Sequence, residues 1–315
     1  MKFAQLPAVA ALGGGHGLYA SLSALRRITD RLTAIVTVAD DGGSSGRLRR
    51  ELGCLPPGDL RMALAALCDD DVEGRQWADV LQSRFGGTGP LAGHAIGNLL
   101  IAGLWQRLGD PVAGLDMVGK LLRTHGRVLP MSAVPLTIEA DVVGLIPEAP
   151  DETSVLRGQA TVAKTAGMVS NVRLDPDSPP AYPQAVEAIR SADHVVIGPG
   201  SWFTSVIPHL LVPDLAEAII TTQASRILIL NMGAADETDG FTPSQHIEVL
   251  ADHAPRLRLD VVVADSRYAG RDRQLVRYVE SLGGRVHTAR MGMRDGSPRH
   301  DPLLLGSALS DVLEL

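Results

Sequence analysis

Short apolar runs alternate along the chain with stretches whose apolar residues recur at helical spacing. Residues 8–12 form such a run and read as a buried strand, followed by the glycine-rich turn 13–17 and a helical pattern over 18–28. Residues 33–39, Thr-Ala-Ile-Val-Thr-Val-Ala, are β-branched and apolar and predict a second buried strand, with 40–46 as a loop. Pro56-Pro57-Gly58-Asp59 has the composition of a helix start and opens a helix to about Leu67. Two further helices are expected over 94–108 and 112–123.

The texture changes at Val128. Short β-type runs at 134–138, 142–146, 161–163 and 168–174 are broken by Pro, Gly and Asp, which predicts a small, largely antiparallel insertion over 128–174. Alternation then resumes: helix 185–191, strand 194–197, helix from Asp214, strand 226–230, helix 243–253, strand 260–264, helix 272–282 and a closing helix 302–313. Repeated strand–loop–helix units imply one α/β domain over 1–315, a doubly wound, mostly parallel sheet of Rossmann-like type that carries the β-rich insertion.

Composition narrows the function classes. Among 315 residues, aromatics are only 3%, so the core is built from Ala, Val, Leu and Ile. The net charge of -7 argues against nucleic acid and anionic membrane as partners, since both select basic faces. Cys54 and Cys68 cannot form a disulfide framework and read as reduced thiols. No signal peptide or apolar run of about 18 residues is seen, so a cytoplasmic protein without membrane insertion is expected.

In a doubly wound sheet, ligands sit beyond the carboxyl ends of the strands, and the candidate chemistry falls there. Gly13, Gly14, Gly15, His16 and Gly17 follow the first strand. Glycines let backbone N–H groups approach phosphate, and the helix start attracts its charge. The spacing matches neither G-x-G-x-x-G, because Leu18 stands where glycine would be needed, nor a Walker loop. Asp40 and Asp41 follow the second strand, where a carboxylate suits a ribose, Mg²⁺ or the substrate; Gly43, Ser44, Ser45 and Arg47 suit an anion. Asp59 and Arg61 stand at a helix start, where Asp59 could simply be the N-cap. His94 and Asn98 share one helix face. Gly198, Gly200 and Ser201 end another strand, and Asn231 and Asp265 end two more. Arg299 could clamp a phosphate, while Asp301 with Pro302 forms a helix start. Tyr268, just after the strand that ends at Asp265, offers an aromatic face and a hydroxyl. Neither a nucleophile–base pair nor a metal-ligand spacing is evident.

The runs Leu12-Gly-Gly-Gly-His-Gly-Leu18, Val38-Ala-Asp-Asp-Gly-Gly-Ser-Ser-Gly-Arg-Leu48, Pro56-Pro-Gly-Asp-Leu-Arg61, His94-Ala-Ile-Gly-Asn98, Gly198-Pro-Gly-Ser-Trp-Phe-Thr-Ser205 and Arg299-His-Asp-Pro302 resemble the gluconeogenesis factor family (YvcK), its actinobacterial branch above all. That family is related to 2-phospho-L-lactate transferase. The resemblance spans nearly the whole chain. It implies a cytoplasmic protein that binds UDP-sugars such as UDP-N-acetylglucosamine, supports cell shape and wall synthesis on gluconeogenic carbon, and brings no secure catalytic activity. The sequence departs from the family after Asn231: a Pro-Gly-Glu-Thr segment is expected, and Gly-Ala-Ala-Asp-Glu-Thr stands at 233–238.

Three functions compete at this point: a nucleotide-sugar binding protein, a Mg-dependent transferase using Asp40, Asp41 and Asn231, and an NAD-binding oxidoreductase. The third has no His or Tyr-Lys pair suited to hydride chemistry. The expected partners are a small nucleotide-sugar, cell-wall synthesis proteins and a second copy of the chain in a homo-oligomer.

Overall fold

The computed structural model describes residues 6–233 and 236–314. The strands in chain order are β1 (Val9–Gly13), β2 (Leu32–Val36), β3 (Arg127–Pro130), β4 (Thr137–Val143), β5 (Thr153–Arg157), β6 (Met168–Asp175), β7 (His194–Ile197), β8 (Ser225–Ile229), β9 (Val261–Asp265) and β10 (Arg285–Ala289). Seven make one sheet in the order β10-β9-β8-β7-β1-β2-β3, and β5-β4-β6 make a second. Every pairing in the large sheet is parallel. The chain thus starts in the middle, walks outward through β2 and β3, and returns to β7 on the other side of β1. The strand order reverses between β1 and β7, which is where a ligand crevice is expected.

All five residues of β1 and all five of β9 are buried. Burial of both alternating faces means that both sides of the sheet are covered, as parallel sheets require. The three-stranded sheet is antiparallel instead. In β4, Ile138, Ala140 and Val142 are buried. The intervening Glu139 and Asp141 pair with Arg157 and Arg173 on the other face. This is the alternation of a sheet with one face on the core.

The structure redraws several expected elements. Residues 127–130 do not begin the insertion: they form β3 and pair with β2 in the large sheet, so the antiparallel part starts at Thr137. Residues 161–163 are not a strand, because Thr161 and Val162 end the short helix Gln159–Val162. The loop over 40–46 is cut short by the helix Gly43–Leu52. Strand β2 ends at Val36, three residues before Ala39. Asp301 caps the closing helix Pro302–Val312, accepting from the Leu303 and Leu304 amides at 2.9 and 3.3 Å.

Candidate functional site at the β1–β7 switch point

The helix Gly15–Leu25 starts directly after β1. Its glycines do different jobs. A Cβ on Gly17 would lie 2.2 Å from the Pro199 carbonyl oxygen, so the β1 and β7 turns touch backbone to backbone. A Cβ on Gly14 would lie 2.4 Å from Thr37 and 2.7 Å from the Asp59 carboxylate. Gly15 alone faces open space, with φ +56°, where a side chain would be strained. Two of these glycines are therefore needed for close packing, while His16 and Gly17 line the cavity described below.

On the β2 side the polar residues bind one another. The Asn98 amide donates to Ser44 Oγ at 3.0 Å, and Ser44 Oγ lies 3.0 Å from His94 Nδ1. With Asn98 as donor, the serine proton goes to His94. Burial, and next the charge of Arg47, hold the imidazole below its ordinary pKa and so neutral, as an acceptor must be. Ser45 lies within 3.5 Å of the same amide and packs against Gly58, whose missing side chain would meet Ser45 Oγ at 2.3 Å. Arg47 donates to the carbonyls of Ala92 and Pro90 at 2.8 and 3.3 Å, which ties down the loop before the helix Ile96–Leu108.

The acids separate. Asp41 Oδ1 accepts from the Ala160 amide at 3.0 Å and so faces the insertion. Asp40 instead faces Gly58 and Asp59. The expected Asp40–Asp41 clamp for Mg²⁺ therefore does not form, and the described residues contain no group of three or more His, Cys, Asp or Glu able to hold a metal. Asp59 is not an N-cap. It stands in the first turn of the helix Gly58–Leu67 and makes no capping hydrogen bond there, while the Gly15 amide nearby favours its charged form. Its Oδ2 is buried without a partner, and so are Nε and Nη1 of Arg61. Burial, and next the charge of Asp40, push the Asp59 carboxyl up to about 7. Burial lowers Arg61 to about 10.

On the β7 and β8 side the rim opens into a cavity of about 590 Å³. Asn231 grips Gly200 at both backbone atoms: its Oδ1 accepts from the Gly200 amide and its Nδ2 donates to the Gly200 carbonyl, each at 2.9 Å. Ser201 Oγ donates to Glu237, whose carboxylate also accepts from the Phe203 amide at 3.2 Å. Trp202 is buried in the wall and meets the His246 ring edge-to-face at 5.1 Å. The far wall is Arg299 and His300. Arg299 is exposed and pairs with Asp295 at 3.2 Å, so the ion-pair reading and the cavity-wall reading both hold for it. His300 is buried, and desolvation lowers its imidazole to about 4.

The fold thus gathers His16, Gly17, Gly200, Ser201, Asn231 and Arg299 around one cavity, and Asp40, Ser44, Ser45, Asp59, His94 and Asn98 into one packed cluster. Gly13 ends β1 with its missing side chain against Leu18, while Gly43, at φ +45°, and Gly198, at φ +76°, turn the chain. Tyr268 does not line the cavity: its hydroxyl donates to the Phe241 carbonyl at 2.8 Å, and its ring meets His246. Trp202, Glu237 and His300 are cavity residues that motif reading passed over, although two lie inside quoted motifs. Glu237 belongs to the divergent segment after Asn231, of which Ala234 and Ala235 lie outside the described residues.

Comparison with known proteins shows the family. The family model for the 2-phospho-L-lactate transferase CofD matches residues 9–292. A protein from Mycobacterium tuberculosis (strain ATCC 25618 / H37Rv) is 56% identical over 308 residues, covering 96% of this chain and 90% of its own. The chain belongs to the CofD-like gluconeogenesis factor family. The family relative named gluconeogenesis factor in Listeria monocytogenes serovar 1/2a is 37% identical, over 82% of this chain and 78% of its own; the mycobacterial relative carries that designation provisionally. The crystal structure of a UPF0052 family member from Bacillus halodurans superposes with a TM-score of 0.84 at 33% identity, covering 97% of this chain and 99% of that one. Among the described residues, no helix of this family member is long and apolar enough to cross a membrane.

Proposed function

We propose that the chain is a cytoplasmic binding protein for a nucleotide-sugar of the UDP-N-acetylglucosamine type. In this reading it is a regulatory gluconeogenesis factor that supports cell shape and wall synthesis during growth on gluconeogenic carbon. The observation that carries the reading is the cavity at the switch point. Its 590 Å³ falls within the usual range for small-molecule sites. The helix start at His16 and Gly17 and, on the far wall, the guanidinium of Arg299 both suit a diphosphate. The half-buried Tyr19 and the Ser201–Glu237 pair offer an aromatic surface and polar groups for the rest of the ligand.

One observation favours a transferase as the second reading. Asp40 and Asp59 are close enough for their charges to couple, and Asp59 Oδ2 lacks a partner. Two hard carboxylates of that kind could ligate Mg²⁺ beside a phosphate, where the cation would neutralise developing charge. Calorimetry with UDP-N-acetylglucosamine, together with an assay for released UDP in Mg²⁺, separates the two. The binding reading expects one ligand per chain and release slower than about one turnover per second. Rapid Mg²⁺-dependent release, lost in Asp59→Asn, supports the transferase. Absence of any binding removes the nucleotide-sugar reading.

A further inference from the structure

A second hollow, of about 200 Å³, lies beyond the carboxyl ends of β9 and β10. Three exposed arginines line it: Arg267 in the short helix Ser266–Ala269, and Arg290 and Arg294 in the loop after β10. Among the described residues, none of these three guanidinium groups forms an ion pair. That is unexpected in a chain whose acids outnumber its Lys and Arg by 36 to 29. The nearby carboxylates are engaged elsewhere. Asp265 accepts from the Arg267 and Met291 amides, each at 2.9 Å. Asp295 accepts from Ser297 and Arg299. Asp301 caps the closing helix. Three guanidinium groups and one carboxylate, that of Asp265, line the concavity, so its lining carries a net positive formal charge.

We propose that this hollow is a second anion site, separate from the nucleotide-sugar cavity, and that it takes the phosphate monoester of a small metabolite. Guanidinium forks match phosphate oxygens in pairs, and three of them suit a dianion. Its lining has no aromatic residue on which a base could stack, which sets it apart from the neighbouring cavity with the half-buried Tyr19. Leu304 supplies an apolar contact for a short carbon skeleton. Met293 lines both hollows, so occupancy of one would be felt at the wall of the other.

The test uses glycerol 3-phosphate and inorganic phosphate as probes, titrated by calorimetry at low salt in the absence of any nucleotide. Wild-type protein should bind glycerol 3-phosphate. The double variant Arg290→Gln, Arg294→Gln should lose about tenfold or more in affinity while keeping its melting temperature. Arg285→Gln, at the opposite end of β10, should bind like wild type. Undiminished binding in the double variant overturns the site. Equal loss in Arg285→Gln reduces it to general charge attraction. Binding of inorganic phosphate alone rejects the monoester. Competitive displacement of glycerol 3-phosphate by UDP-N-acetylglucosamine makes the hollow part of the first cavity and overturns the separation. Because no nucleotide is present in the main titrations, their outcome is independent of whether the nucleotide-sugar reading stands.

Discussion

The two sides of the glycine turn are built from the same kinds of residue and end in opposite states. On the β2 side, Ser44, His94 and Asn98 hydrogen-bond one another, and Gly14 and Gly58 let neighbouring elements close over the space. On the β7 and β8 side, Asn231 and Glu237 spend their hydrogen bonds on holding the turn around Gly200 and Ser201, and a cavity remains in front of it. Glycine and polar residues at strand ends therefore do not by themselves mark a ligand surface. What decides is whether their neighbours fill the room the glycines leave.

The largest effect is expected where that room is already filled. Gly17→Ala and Gly46→Ala would drive a Cβ to 2.2 Å from the Pro199 oxygen and 1.9 Å from the Asp41 oxygen, both backbone atoms that cannot swing aside. Each should cost about 3 kcal/mol of stability. Gly43→Ala meets open space and suffers only from φ +45°, a cost of about 1 kcal/mol. Urea unfolding of the three variants sharpens the contrast; a Gly17→Ala loss no larger than that of Gly43→Ala would break it.

A smaller difference lies in pH dependence, where Asp59 on the β2 side and His300 on the cavity side have opposite signs. The folded Asp59 carboxyl titrates at about 7 against an ordinary 3.8, so the folded state holds the proton longer. Its contribution is full below 3.8 and is lost as pH rises towards 7. His300 on the cavity side, and His209 buried between the carbonyls of Ile35 and Ser205, are lowered to about 4 from 6.5. Their contribution is full above 6.5 and is lost as pH falls towards 4. Melting temperatures across this range should show that Asp59→Asn removes the decline on the rising side, whereas His300→Gln weakens the decline on the acid side. An unchanged profile in Asp59→Asn would mean that its carboxyl is not held neutral.

The layout of the sheet was legible because parallel strands buried on both faces read as plain apolar runs, as in β1 and β9. Several of the elements that escaped notice bury little. In β10, the sequence Arg-Val-His-Thr-Ala has no fully buried residue. In β5, Thr-Ser-Val-Leu-Arg leaves Val155 exposed. The helix Gly43–Leu52 opens on Gly-Ser-Ser-Gly and buries only Leu48 among its aliphatic residues, and Val72–Gln82 buries only Gly74 and Leu81. At the site, Asn231 was readable as the end of a strand and Arg299 as a residue just before the closing helix. Their partners were not, because Gly200 and Asn231 are 31 residues apart and meet only through the pairing of β7 with β8. The divergence after Asn231 hid Glu237, which nevertheless reaches Ser201. Tyr268 fell outside the cavity because its hydroxyl turns to Phe241.

The central claim is that the ligand rests on the β7 and β8 side. It is tested most directly by the affinity of UDP-N-acetylglucosamine for Arg299→Ala against Arg47→Ala, measured by calorimetry on folded proteins. Arg299 lines the cavity, and its exposed, solvent-screened pair with Asp295 adds little to stability. Arg47 is bound to the carbonyls of Pro90 and Ala92 in the packed cluster. Loss of a charge-assisted phosphate contact in Arg299→Ala should weaken binding about ten- to a hundred-fold, with Arg47→Ala at wild-type affinity. Wild-type affinity in Arg299→Ala with a large loss in Arg47→Ala would contradict the account and move the ligand to the β2 side.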